Sequence, residues 1–197
     1  MPLPSPRTVA ASVLLVSSSL AAQDTTKGVR IGLTYTAGTK PGVVILPAKG
    51  AGADSVRAIV QRDLDYGDRI EVIALEGGTF ADVPTAAPAW PVLARMGAAA
   101  AVQVTPTATG LHLVVYDVAK RSTALVRDYA APPMSRAREW RSVAHWLSDD
   151  LEESLTGVKG VARSRVLYTR GNRLWSVDSD GEGLVALADA GIPSSGA

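Results

Sequence analysis

Three short stretches and two separate histidines of this sequence carry residue types that could do chemistry. Gly50-Ala51-Gly52-Ala53-Asp54-Ser55 follows an apolar run and precedes an amphipathic one, where a glycine loop could cradle phosphate. Ser55 stands where the third glycine of a dinucleotide loop would be, and no Gly-Lys-Ser/Thr ending follows. A helix start capped by Asp54 or Ser55 accounts for the same residues. Asp63, Asp65 and Asp68 could share acid–base work if they converged in a cleft. With Arg62 and Arg69 beside them, they read as a solvated helix end.

His112 and His145 are the two histidines, and the chain has no cysteine. A metal site would therefore need both to meet carboxylates at ligand spacing. His145, with Asp149 at i+4, reads instead as a surface histidine on the polar side of a helix. Asp178-Ser179-Asp180-Gly181-Glu182-Gly183 has the look of a calcium loop but lacks the spaced third acidic ligand and the closing glutamate. An Asp-Gly hairpin turn explains it more simply. The expectation is a chain with no catalytic residue, no cofactor and no metal. Trp146 lies off the apolar stripe of its helix, so it either packs within its domain or offers an interface aromatic.

These residues need elements to hold them, and the apolar pattern supplies a sequence of such elements. Val29 to Tyr35 alternates like a half-buried strand, and Val43 to Leu46, ended by Pro47, reads as a central buried strand. A helix follows with Val56, Ile59, Val60 and Leu64 on one face and Gly67 as its C′ residue. Ile70 to Ala74 is the next strand, and residues 75–88 form a loop rich in Gly, Pro and Ala. Pro91 suits the first turn of a short helix over Trp90 to Met96. Ala98 to Val104 then reads as a strand, and Leu111 to Val118 with Ser122 to Tyr129 as a hairpin around Lys120-Arg121. The longest helix runs from Ser135 to Leu155, with Trp140, Val143, Ala144, Leu147, Leu151 and Leu155 as its apolar stripe.

Beyond Gly157 and Gly160 the composition changes. Arg165 to Tyr168, Arg173 to Val177 and Leu184 to Leu187 are three short strands divided by Gly171-Asn172 and Asp180-Gly181 turns. A three-stranded meander buries too little to be stable by itself, so it reads as a propeller blade missing its neighbours. The expected fold is an α/β (α+β) two-layer domain, a mixed sheet with packed helices, followed by an incomplete blade.

Composition agrees with a globular, exported protein. The chain of 197 residues is 47% hydrophobic and carries a formal charge of +1, which gives no electrostatic basis for nucleic-acid binding. Residues 1–22 resemble a secretory signal, with Arg7 as the positive region, a short apolar run from Val9 to Leu20, and cleavage near Ala21 or Ala22. That run is shorter than the ~20 apolar residues a bilayer span needs. Lacking cysteine, an exported product has no site for an amino-terminal lipid and no thiol nucleophile. The expected division is a signal peptide over 1–22, an α/β domain over 23–158 and a truncated blade over 159–197.

Several of these segments together resemble the TolB family of the Tol-Pal system. They are Val29-Arg30-Ile31, the strand ending at Pro47, Asp54 to Val60 with Asp63-Leu64, and Arg141 with Ala144-His145 and Ser148-Asp149. Leu155-Thr156-Gly157, Gly160, Arg165 to Tyr168 and the Asp178-x-Asp180-Gly181 turn complete the set. The resemblance implies a monomeric, non-enzymatic periplasmic protein that supports outer-membrane integrity, cell division and protein import. It implies TolA as partner of the mature amino terminus, here Gln23, Asp24, Thr25, Thr26, Lys27, Val29 and Arg30. It implies the peptidoglycan-associated lipoprotein as a partner only when the full propeller is present, and neither nucleic-acid binding nor membrane insertion. A second reading is the amino-terminal part of an exported propeller hydrolase whose catalytic domain lies downstream.

Overall fold

The computed structural model describes residues 31–33, 39–75 and 88–189. The expected signal peptide, most of the strand expected over Val29 to Tyr35, and most of the 75–88 loop lie outside these residues. Among the described residues the strands are β1 (Gly42–Leu46), β2 (Glu71–Ile73), β3 (Ala98–Pro106), β4 (Gly110–Asp117) and β5 (Ser122–Ala130), then β6 (Arg165–Arg170), β7 (Arg173–Asp178) and β8 (Val185–Asp189). The helices are α1 (Ala53–Gly67), α2 (Trp90–Arg95) and α3 (Ala137–Thr156).

The first five strands form one mixed sheet in the order β2-β1-β3-β4-β5. β1 runs parallel to both its neighbours, while β3, β4 and β5 are antiparallel. Val43 to Leu46 has no polar face because both of its faces are covered. Val43 and Ile45 join Val56, Val60 and Leu64 of α1 and Leu147 and Leu151 of α3 in the main core. Val44 and Leu46 pack with Leu93 of α2 on the opposite face. The architecture is the expected α/β layer of helices on a mixed sheet, with α2 as a short cover on the far side. Burying each such aliphatic side chain stabilises the fold by about 1.5–3 kcal/mol.

Local chemistry departs from expectation at both ends of α1. Gly52, in the left-handed region at φ 79°, is the N-cap, and no side chain caps the helix. Asp54 sits inside the first turn, so neither it nor Ser55 is the cap. At the other end the helix runs through Gly67, and Asp68 takes the left-handed conformation with φ 55°. Aspartate tolerates that region better than most residues, and its carboxylate pairs with Lys40. Gly67 is needed for another reason: a Cβ there would lie 2.6 Å from Oε1 of Glu152 on α3. The absent side chain lets the two helices close on each other.

Ile31, Gly32 and Leu33 form no strand. The Ile31 amide donates to the Ser154 carbonyl at 3.1 Å, which ties this stretch to the end of α3 rather than to a sheet edge. α3 itself ends as expected, with Gly157 left-handed at φ 78° and its amide on Glu153. The last three strands form a separate antiparallel sheet, β6-β7-β8, whose turns fall at the two expected glycine positions. Val166, Leu167, Leu184 and Leu187 of this meander are exposed. Among the described residues no helix is long and apolar enough to cross a membrane.

Candidate functional site

The sheet order reverses at β1, and in open α/β sheets such a reversal opens a crevice at the strand ends where nucleotides bind. Here the Lys49 to Gly52 loop leads from the carboxyl end of β1 into α1. Met134 and Trp140 lie directly against Gly52, and the Gln103 side-chain amide donates to the Pro47 carbonyl at 2.9 Å. The glycine loop serves helix entry and close packing.

The charged residues gather elsewhere, where α1, α3 and the β7–β8 turn meet. α1 and α3 pack side by side, and α3 carries a polar ladder, Arg141-His145-Asp149, one turn apart beside its apolar stripe. His145 is 5% exposed, not a surface residue. Its Nδ1 lies 2.8 Å from Asp63 Oδ2 on α1, and its Nε2 lies 3.2 Å from Asp180 Oδ2 on the turn. Ionised carboxylates can only accept, so both contacts become hydrogen bonds when each ring nitrogen carries a proton. Asp180 Oδ2 also accepts from Arg141 Nη2 and, at 3.3 Å, from Arg62 Nη2. Its side chain is 1% exposed. Asp63, Asp180, His145 and the two arginines form one closed network joining three elements.

Asp149 is not paired with His145. Its carboxylate accepts from the backbone amides of Ala162 at 2.6 Å and Arg163 at 3.3 Å, and so pins the segment leading into β6. Glycine is required opposite it, because a Cβ on Gly160 would stand 2.7 Å from the Asp149 Cα. The Ser179 amide donates to the Ser164 carbonyl at 3.0 Å and the Ser179 hydroxyl to Ala162. These bonds dock the meander against α3.

The remaining candidates are dispersed. Asp63 points into the network, whereas Asp65 is exposed and Asp68 is held by Lys40. The helix end is therefore solvated only in part, and the three carboxylates do not converge. Arg69 turns away to Glu152, Nη1 to Oε1 at 2.7 Å. His112 pairs across the β4–β5 hairpin with Asp128, Nδ1 to Oδ1 at 2.7 Å. The calcium-like turn directs Asp180 onto the network and Asp178 Oδ1 onto Arg165 Nε at 2.9 Å. Protein cations thus pair with Asp178 and Asp180 of this turn. Trp146 is 44% exposed and rests edge-on against Tyr129, ring centroids 5.4 Å apart. Burial, then the neighbouring Asp150 carboxylate, raises the Tyr129 pKa above its ordinary 10.0. The Tyr129 hydroxyl donates to Asp150 at 3.1 Å. Gln23 to Arg30 lie outside the described residues.

A crystal structure of TolB from Acinetobacter baumannii shares this fold, with a TM-score of 0.60 at 22% identity over 83% of this chain and 42% of that one. The Tol-Pal system protein TolB of Sodalis glossinidius (strain morsitans) is 31% identical over 150 residues, 71% of this chain. The chain belongs to the TolB family. The TolB of Escherichia fergusonii is likewise 31% identical, over 125 residues covering 60% of this chain and 28% of that protein. No protein-family model matches the chain. The chain spans about a third of the length of these curated TolB relatives, 34% of the Sodalis protein.

Proposed function

We propose that this chain is a non-enzymatic, exported protein-binding component of a Tol-Pal envelope system. In this reading it works in the periplasm, supports outer-membrane integrity and constriction at division, and engages TolA through Gln23 to Arg30. The observation that carries the proposal is its likeness, at 31% identity over 71% of its length, to a protein named as a TolB of that system. The chemistry of the charged junction supports it. The carboxylates and the imidazole there are turned onto one another and bind elements together, which suits a scaffold better than an open reacting centre.

The test is affinity capture of TolA on residues 23–197, with and without residues 23–30. Deletion is expected to abolish TolA retention while leaving the circular dichroism spectrum and the melting transition unchanged. Retention of TolA by the deleted chain would overturn the assignment of that segment. The same reading expects no capture of the peptidoglycan-associated lipoprotein by these residues, because that partner requires the full propeller.

A further inference from the structure

A cleft of about 440 Å³ opens beside the charged network. Its size falls within the roughly 300–1,000 Å³ of ligand clefts. Arginines reach it from two segments. Arg138 and Arg141 stand in the first turns of α3, and Arg163 and Arg165 in the stretch that leads into β6. Asp178 and Glu182 of the β7–β8 turn complete the charged lining.

Two of these guanidiniums are engaged by the protein itself. Arg141 holds Asp180, and Arg165 holds Asp178 and the Gly183 carbonyl. The side chains of Arg138 and Arg163 have neither an ion-pair nor a hydrogen-bond partner among the described residues. Both are positioned by firm backbone: Arg138 by a 20-residue helix, and Arg163 by its amide on Asp149. The N-cap of α3 supplies no side-chain acceptor, so the first-turn amides add to the positive potential at this end.

We propose that this cleft binds a carboxylate-bearing segment of a protein partner. Arg138 and Arg163 would take the carboxylates, for which the planar guanidinium fork is matched in shape and charge. The Glu182 carboxylate, with no ion-pair partner among the described residues, would accept the segment's backbone amides. The same carboxylate, with Asp178 beside it, disfavours a compact dense anion such as phosphate, which would feel both signs at close range. An extended peptide separates its negative groups from its donors and meets each wall with the right one. This contact involves residues 138–182 and is independent of the proposed TolA segment at 23–30.

The probe is a hexapeptide alternating glutamate and serine with blocked ends, compared with its glutamine counterpart and with inorganic phosphate. Binding to the full chain is followed by calorimetry and by the arginine side-chain NMR resonances. The glutamate peptide is expected to bind, to weaken as NaCl rises from about 50 to about 300 mM, and to move arginine Nε–H signals. The double variant Arg138→Gln/Arg163→Gln, at two exposed positions, should keep the melting temperature and weaken binding roughly fivefold or more. Equal binding of the glutamine peptide, full displacement by equimolar phosphate, or unchanged affinity in the double variant would overturn the proposal. Deleting residues 23–30 should leave peptide binding intact, so this inference and the TolA reading fail by different results.

Discussion

His145 on α3 and Asp180 on the β7–β8 turn are 35 positions apart, yet Nε2 and Oδ2 meet at 3.2 Å with both side chains almost fully covered. This contact makes a helix of the larger sheet and a turn of the smaller one parts of one electrostatic unit. Through His145 it reaches Asp63 on α1, 82 positions away from the histidine. The meander is thereby tied to α3 by charge, and Ser179 bonds it to the 162–164 segment that Asp149 of α3 pins.

Removing Asp180 should therefore loosen the docked meander. Asp180→Ala leaves Arg62, Arg141 and His145 without their shared acceptor, and the expected loss is about 2 kcal/mol. That lies below the roughly 3–5 kcal/mol for breaking a fully buried pair. The discount reflects the two arginines, whose side chains remain 36% and 30% exposed and so keep part of their solvation. Asp180→Asn retains an acceptor and should lose less. Urea unfolding followed by tryptophan fluorescence measures both, and an alanine variant as stable as the parent would dismiss the network as a tie.

Tyr129 makes a prediction at alkaline pH. Its folded pKa is raised by burial and by Asp150, while the unfolded phenol ionises near the ordinary 10.0. The unfolded state therefore releases this proton first as pH rises. The contribution is fully present below about pH 10 and is then lost at up to about 1.4 kcal/mol per pH unit. Tyr129→Phe should show a flatter decline of stability between about pH 10 and 11 than the parent chain. Parallel curves would show that the phenol is not held in this way.

Gly160→Ala should destabilise the chain by about 1–3 kcal/mol, the usual range for a methyl group forced into packed structure. The added Cβ would stand 2.7 Å from the Asp149 Cα and 2.9 Å from Glu152 Oε2. A backbone atom on α3 cannot yield as a flexible side chain can. Chemical unfolding of the variant gives the number, and an unchanged midpoint would mean that the segment 157–164 relaxes without cost.

Much of the fold follows from local pattern. The unbroken apolar run of Val43 to Leu46 states that both faces of β1 are covered, since a strand with one wet face alternates. The spacing of Trp140, Ala144, Leu147, Leu151 and Leu155 states a helix with a buried stripe. Asp180-Gly181 and Gly171-Asn172 state turns, because glycine meets their left-handed backbone without strain. In each case the deciding physics, side-chain period or backbone sterics, acts over a few residues. A run of ten letters therefore contains it.

Helix ends were less legible. Asp54 and Ser55 are good capping residues, yet the chain enters α1 two residues before Asp54, through Gly52, where Met134 and Trp140 close over the loop. Residue preference at a cap amounts to about 1 kcal/mol, and tertiary packing outweighs it. The surface assignment of His145 failed for a related reason. Its ladder with Arg141 and Asp149 looks like a solvated helix face until α1 and the β7–β8 turn are laid over it. The ladder was the available signal: three polar residues at i, i+4 and i+8 immediately beside an apolar stripe.

The sequence alone determined the order and kind of the elements, because burial period is a property of neighbours along the chain. It also carried the family resemblance, which rests on the order and spacing of those same segments. Only the tertiary structure decided which charges are spent on one another. Asp63, His145 and Asp180 acquire their roles from approach across 82 and 35 positions. Arg138 and Arg163 are left over by the same docking, since a guanidinium is free or paired only with respect to what folding brings near it.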